Sequence, residues 1–182
     1  MYLIFTKRDT LISDAIAAAT NSPYSHVAVL HSNMQDVTEA RGDGDYSSVI
    51  GNTFERIMAD NDLTKLVLLE PPFGLAVPTK QSDAWLFNTR GIKYDFFNTL
   101  IIQPITLLRS KIASLFGRES RGSIFQRNNR QAKKKVQCGE YAAWWCKLHV
   151  KGFNQDVVIG HTSPASLYKI CIDAGWKLAR YK

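Results

Sequence analysis

The sequence predicts an α+β fold in which an antiparallel sheet is packed by helices. Short apolar and β-branched runs come first in the chain and predict strands over residues 2–6, 25–31 and 36–40. Segments with helical spacing flank these strands and dominate the second half of the chain. Strands grouped before helices are typical of an α+β domain, whereas regular alternation would favour a parallel βαβ sheet.

The remaining elements follow from spacing and from chain-breaking residues. Residues 10–20, 53–59 and 79–90 have helical patterns, and a strand over residues 66–70 ends at Pro71 and Pro72. Ser163 and Pro164 are suited to the N-cap and first position of a helix that runs to residue 174. Residues 176–181 predict a last strand, and we expect residues 1–182 to form a single domain.

Charge is concentrated in one segment. The chain carries a net charge of +7, and residues 109–135 hold nine lysines and arginines but one acid, Glu119. This basic segment is predicted to be a mobile insertion in the domain. Three cysteines argue against a disulfide framework, and neither a signal peptide nor a run of about twenty apolar residues is seen. A cytoplasmic protein is therefore expected.

The fold is organised around residues 136–149, VQCGEYAAWWCKLH, which predict a buried helix. Cys138, Tyr141, Ala142, Trp145 and Leu148 recur at helical spacing and form its apolar stripe. A thiol in the first turn lies near unpaired N–H groups and the positive end of the helix dipole, which favour the thiolate. Cys138 is therefore a candidate nucleophile, although a small hydrophobe in a core helix is the alternative role.

A nucleophilic cysteine needs a histidine as its proton acceptor. The chain has four histidines. His26 is the strongest candidate because it begins a buried strand, which is an unusual position for an imidazole that has no functional role. His31 is five residues further along and must face the opposite side of that strand. His149 and His161 lie at a helix end and in a loop, where solvated or capping roles are expected.

Strand pairing suggests the residue that orients His26. If the turn after the strand is centred between Asn33 and Met34, then Leu30 faces Val37, and Glu39 lies on the same face of the sheet as His26. A slip of one residue would move Glu39 to the other face, where it would be an ordinary exposed acid. The prediction for Glu39 therefore depends on the register.

Several motifs together carry a resemblance to a known family. TNSPYSHVAVLH, VTEA, KYDFF, QCGEYAAWW and TSPASL occur in this order and resemble the permuted papain-like hydrolases of the NlpC superfamily. The similarity is to the YiiX-like branch, which is related to the lecithin:retinol acyltransferase group. It extends over most of the chain apart from the basic segment. The resemblance implies a circularly permuted papain-like fold with the cysteine helix at its centre.

The resemblance also implies roles for individual residues. Cys138 would be the nucleophile, His26 the base and later the acid, and Glu39 the residue that fixes the imidazole. Tyr24 and Tyr94, within two of the motifs, and Gly139, next to the nucleophile, are the predicted substrate-binding residues. Gly139 departs from the family, in which a serine often follows the cysteine, and Ala28 stands where the family usually has glycine.

The predicted activity is that of a thiol protease or amidase: cleavage of a peptide, isopeptide or other amide bond through an acyl-enzyme. No cofactor is needed by chemistry that uses side chains alone. A zinc site is disfavoured because the chain has neither a CxxC pair nor an HExxH motif.

Two alternatives remain open at this point. The apolar run at residues 96–108 next to the basic segment would suit an anionic membrane, and with it lipid acyl hydrolysis or acyl transfer. Residues 109–135 could instead bind nucleic acid or an acidic protein, although only Phe116 and Phe125 offer rings for base stacking. An ordinary core helix followed by a solvated loop explains the same residues.

Overall fold

A computed structural model describes residues 1–8, 10–31, 33–42, 48–61, 66–72, 88–95, 135–153, 157 and 159–179. Its centre is a sheet of eight strands, ordered β7-β6-β4-β3-β2-β1-β5-β8. In chain order the strands are Tyr2–Thr6 (β1), His26–Leu30 (β2), Asp36–Arg41 (β3), Ser48–Thr53 (β4), Val67–Glu70 (β5), Lys93–Tyr94 (β6), Lys135–Val136 (β7) and Lys177–Ala179 (β8).

The predicted antiparallel sheet is confirmed for the greater part of these strands. Every pairing from β6 through β4 to β8 is antiparallel, and β6 pairs with β7 in parallel. β1 lies between β2 and β5, so the first strand of the chain is interior to the sheet. The mixed α+β class is therefore confirmed.

In the described part of the chain, four α-helices accompany the sheet: Leu11–Thr20 (α1), Phe54–Ala59 (α2), Cys138–His149 (α3) and Pro164–Asp173 (α4). Three of them begin at a hydroxyl residue whose side chain accepts a hydrogen bond from a first-turn N–H, namely Thr10, Thr53 and Ser163. The predicted cap at Ser163 and the proline at the first position of α4 are both confirmed.

Alternating side chains divide the core between the two faces of the sheet. Val27 and Val29 of β2 pack on one face with the α3 residues Tyr141 and Trp145. Ala28 and Leu30 point to the other face, where Phe54 and Ile57 of α2 cover them. α3 contacts β2 and β3, which lie in the middle of the sheet order, so the cysteine helix packs over the middle of the sheet.

Three details differ from the expectation. Val136 belongs to β7 and Gln137 is the N-cap, so the helix begins at Cys138 itself. Leu148, predicted on the apolar stripe, is 58% exposed, although Cys146 in the same turn of α3 is fully buried, so Leu148 lies on the solvent side of this turn. Strand β4 was not predicted, since Gly51 and Asn52 within it are residues typical of turns.

Several predictions lie outside the described residues. These are the first nine residues of the helix predicted over 79–90, the apolar run at 96–108, and the basic segment at 109–135 except for Lys135 in β7. Within the described part of the chain, no helix combines the length and apolar character needed to cross a membrane.

Candidate active site

The register of β2 and β3 places His26 and Glu39 together. Leu30 pairs with Val37, as the turn position predicts, and Val29 pairs with Thr38. With this register Glu39 lies on the face to which His26 points, and its Oε2 is 2.7 Å from Nε2 of His26. Glu39 has 0% relative exposure, so the alternative of an exposed strand acid is wrong.

Both oxygens of the Glu39 carboxylate have partners. Oε2 takes the hydrogen bond with His26, and Oε1 accepts one of 2.8 Å from Nδ2 of Asn52 on β4. Two guanidinium groups lie further out: Nη2 of Arg8 is 3.8 Å from Oε2, and Nη1 of Arg41 is 3.8 Å from Oε1. A buried carboxylate with two donors and two cations around it is held ionised and in one orientation.

The ionisation of Glu39 follows from these contacts. Burial alone would raise the pKa of its carboxyl, but the hydrogen bond and charge of His26 outweigh burial, and Asn52 and Arg8 add to the same effect. The pKa of Glu39 is therefore lowered. An ionised Glu39 can orient the imidazole and stabilise its protonated form.

Cys138 stands at the first position of α3, beside the start of β2. It is 3% exposed, and the imidazole of His26 and the backbone of Val27 are the neighbours that act to lower the pKa of its thiol. Since Glu39 occupies Nε2 of His26, Nδ1 is the ring nitrogen that remains for the thiol. Glu140 closes this end of the helix by accepting a hydrogen bond of 3.0 Å from the Gln137 N–H.

The thiol and the imidazole shift each other's protonation. Burial would raise the pKa of Cys138, but the hydrogen bond and positive charge of His26 prevail and lower it. Burial would likewise lower the pKa of His26, yet its hydrogen bonds with Cys138 and Glu39 raise that pKa to about 9. The two shifts together favour a thiolate–imidazolium pair near neutral pH.

The other two cysteines have the opposite character. Cys146 and Cys171 lie in the core with 0% relative exposure, and burial raises the pKa of each thiol. All three cysteines are free thiols. Cys138 is therefore the one thiol of the three with an environment that favours the thiolate.

Tyr94 is brought to the nucleophile by the short strands that precede α3. It pairs with Val136 across β6 and β7, two residues before Cys138. Its hydroxyl oxygen lies 4.0 Å from Cys138 Sγ, and this contact also lowers the pKa of the thiol. The structure thus brings together four of the predicted residues: Cys138, His26, Glu39 and Tyr94.

Tyr24 and Gly139 have other surroundings. The Tyr24 ring contacts Phe5 and Tyr168, with centroids 5.8 and 5.0 Å away, and burial beside Tyr168 raises its pKa to about 12. Gly139 is buried, and a Cβ there would lie 2.2 Å from the backbone oxygen of Thr162. Gly139 therefore permits the close contact of α3 with the start of α4, and substrate binding by Tyr24 and Gly139 stays a prediction.

His31 directly follows β2, and by the alternation of the strand its side chain lies on the opposite side of the sheet from that of His26. The His31 ring lies on the α3 side of the sheet, 6.4 Å from the Trp145 ring, and the His149 ring is 5.4 Å from that same indole. His149 is half-buried, and burial lowers its pKa. Among the described residues, no three His, Cys, Asp or Glu side chains are grouped so as to hold a metal ion.

Three residues around Glu39 were not found from the sequence: Arg8, Arg41 and Asn52. Asn52 could have been found by extending the strand ladder, because it lies on the Glu39 face once β4 is paired with β3. Arg8 follows β1 without a local pattern that marks it as a partner of Glu39, whereas the predicted register already places Arg41 opposite His26, on the face that carries Glu39.

The comparisons with known proteins give little beyond this geometry. No family model matches the chain, and no curated protein matches it. Among solved structures, the chain is similar to the crystal structure of metalloprotein yiiX from Escherichia coli O157:H7, with 16% identity, a TM-score of 0.48, and coverage of 100% of this chain and 96% of that one. Neither the identity nor the TM-score is high enough to transfer an activity or a metal from one protein to the other.

Proposed function

We propose that this protein is a cysteine hydrolase that cleaves an amide, peptide or isopeptide bond through a Cys138–His26–Glu39 triad. The observation that carries the proposal is the pairing of the His26 ring with the buried Glu39 carboxylate, at 2.7 Å between Nε2 and Oε2, beside a buried Cys138 whose pKa His26 lowers. A nucleophile, a base and an orienting group in this order are the parts that nucleophilic acyl transfer requires.

In the proposed first step the Cys138 thiolate attacks the carbonyl carbon of the substrate. A carbon–sulfur bond forms, and the carbonyl electrons move to the oxygen. First-turn N–H groups of α3, including that of Cys138, are suited to stabilise this oxyanion. The tetrahedral intermediate then collapses, the carbon–nitrogen bond breaks, and the His26 imidazolium gives its proton to the leaving amine.

In the second step water hydrolyses the thioester. Neutral His26 takes a proton from the water as the oxygen attacks the acyl carbon. Collapse of the second intermediate releases a carboxylic acid and restores the thiolate and the imidazolium. Glu39 does not take up a proton in either step. It fixes the ring and stabilises its charged form, as the lowered pKa of its carboxyl requires.

The order of these residues in the chain supports a circularly permuted papain-like arrangement. The strands with the base and the acid precede the helix with the nucleophile, as the resemblance to the NlpC superfamily implies. We include this arrangement, and the YiiX-like assignment, in the proposal.

The proposal is tested by the pH dependence of Cys138 alkylation with iodoacetamide, followed peptide by peptide in a mass spectrometer. We expect Cys138 to react at pH values well below the ordinary thiol pKa of 9.0, because its own pKa is lowered. Cys146 and Cys171 serve as internal controls that stay unlabelled in the folded protein, because both are buried and their pKa values are raised. Labelling of Cys138 with an ordinary thiol profile would contradict the proposal.

Activity is tested with a panel of peptide, isopeptide, thioester and ester substrates. Cys138→Ala and His26→Ala should abolish turnover, while Cys146→Ala is the matched control that leaves the site intact. Hydrolysis should fall above about pH 9, where His26 loses the proton that it gives to the leaving group. Cleavage of lipid esters without amides would favour the acyl-hydrolase alternative.

A further inference from the structure

Gly42, which directly follows β3, is in contact with the ring of Tyr94. A Cβ placed on Gly42 would lie 2.3 Å from Cδ1, 2.5 Å from Cε1 and 2.8 Å from Cγ of Tyr94. Distances under 3.0 Å are essentially never found for real Cβ atoms, so the ring could not stay where it is if residue 42 had a side chain. The Tyr94 ring occupies the space that a side chain at residue 42 would need.

The backbone does not explain why residue 42 is a glycine. The glycines with positive φ in the described part of the chain are Gly91, Gly152 and Gly175. Gly42 is described and is not among them, so its φ is one that other residues adopt freely. The requirement for glycine at this position therefore comes from the Tyr94 ring.

The position of that ring decides what its hydroxyl can reach. Tyr94 is 9% exposed, and its hydroxyl oxygen is 4.0 Å from Cys138 Sγ. The same strand, β3, carries Glu39 three residues before Gly42. The end of β3 therefore contacts the imidazole through Glu39, and the residue that follows the strand, Gly42, lies against the Tyr94 ring.

We propose that Gly42 is a positioning residue that sets the Tyr94 hydroxyl at hydrogen-bonding distance from the Cys138 thiolate. The inference rests on the proposed function, because it gives the thiolate a second side-chain donor besides His26. The hydroxyl donates to the charged sulfur and thereby favours the thiolate over the thiol. A residue with a side chain at position 42 would displace the ring and remove this donor.

The test compares Gly42→Ala with Tyr94→Phe in the full chain. Each variant should slow the alkylation of Cys138 by iodoacetamide about fivefold at neutral pH, the factor that one hydrogen bond of ordinary net strength contributes. The double variant should be no slower than either single variant, because both changes remove the same donor. Tyr2→Phe is the matched control, since Tyr2 packs against the core cluster on the face of the sheet opposite α3, and it should leave the rate unchanged.

A second comparison, of Gly42→Ala with and without the Tyr94 ring, separates the effect of the steric contact from a general defect in folding. In the Tyr94→Ala background the ring is absent, so Gly42→Ala should cost no stability and should not slow alkylation further. With Tyr94 in place, Gly42→Ala should lower the urea midpoint. Equal losses of stability in the two backgrounds would overturn the inference, even if Gly42→Ala alone were too unstable for labelling.

The two proposals fail in different ways. An ordinary thiol profile for Cys138 in the parent protein would contradict the proposed function and, with it, the positioning role of Gly42. A reactive Cys138 in the parent together with unchanged alkylation in Gly42→Ala would overturn the positioning role alone and leave the hydrolase proposal standing.

Discussion

Replacing Glu39 by glutamine tests the buried network that holds His26. The carboxylate accepts hydrogen bonds from two neighbours, at 2.7 Å from His26 and 2.8 Å from Asn52. An amide has one acceptor oxygen, so either orientation of glutamine sets its NH2 group against a donor. The change also removes the negative charge between Arg8 and Arg41, whose side chains are each 9% exposed.

The expected loss can be estimated from these contacts. A buried donor left without an acceptor costs about 1 to 3 kcal/mol, and the lost charge partner of two buried arginines adds to it. We therefore expect Glu39→Gln to lower the free energy of unfolding by about 2 to 4 kcal/mol. Urea denaturation at pH 7 with linear extrapolation measures this difference.

A second substitution can restore the pattern of donors and acceptors. In Glu39→Gln/Asn52→Asp, the glutamine oxygen accepts from His26 and its NH2 donates to the new carboxylate. The double variant should recover about 1 to 2 kcal/mol of stability. The rate of Cys138 alkylation should stay low, because the negative charge then lies on residue 52 and the glutamine at residue 39 separates it from the imidazole.

The control for charge alone is Asp60→Asn. Asp60 is 3.6 Å from Nη1 of Arg41, but its side chain is 38% exposed. Solvent screens this pair, so the change should cost less than about 1 kcal/mol. The reasoning is refuted if Glu39→Gln is as stable as the parent protein, or if the double variant is no more stable than Glu39→Gln.

The effect of Glu39 on stability has a defined pH dependence. Because the pKa of Glu39 is lowered on folding, its contribution is complete above the ordinary value of 4.5 and is lost as pH falls through the folded pKa. The difference in stability between the parent and Glu39→Gln should therefore shrink in acid, and it should also fall as pH rises from 6.5 to about 9, because Glu39 contributes to the raised pKa of His26. A difference that grows as pH falls below 4.5 would contradict the assignment.

Three further predictions concern packing. Gly139→Ala should lower stability by about 1 to 3 kcal/mol in urea denaturation, because its Cβ would meet the backbone oxygen of Thr162, which cannot rotate away. Cys146→Ser should cost about 1 to 3 kcal/mol through a buried hydroxyl and leave Cys138 alkylation unchanged. Leu148→Lys should change the free energy of unfolding by less than about 0.5 kcal/mol, because Leu148 is 58% exposed.

Those features of the site that depend on local sequence patterns could mostly be predicted from the sequence. The alternation of β2 and the position of its turn are local, so the pairing of Leu30 with Val37 and the side on which Glu39 lies were both predictable. The N-terminal position of Cys138 in a helix follows in the same way from helical spacing and the capping residues.

The parts that could not be predicted depend on contacts between distant segments. Gly42 is explained by Tyr94, 52 residues further along, and no local pattern around Gly42 shows this. Asn52 was missed because β4 contains residues typical of turns, and its pairing with β3 decides its role. The exposure of Leu148 depends on which side of the last turn of α3 faces the core, and helical spacing alone does not determine that side.

The distance along the chain between His26 and Cys138 has a consequence for folding. The imidazole that lowers the pKa of Cys138 comes from 112 residues earlier, on a strand in the interior of the sheet. An unfolded chain therefore has a thiol of ordinary reactivity, and contacts so far apart in sequence form slowly. The high reactivity of Cys138 should therefore appear late in refolding. The rate at which Cys138 is labelled during refolding would report when β2 and α3 come together.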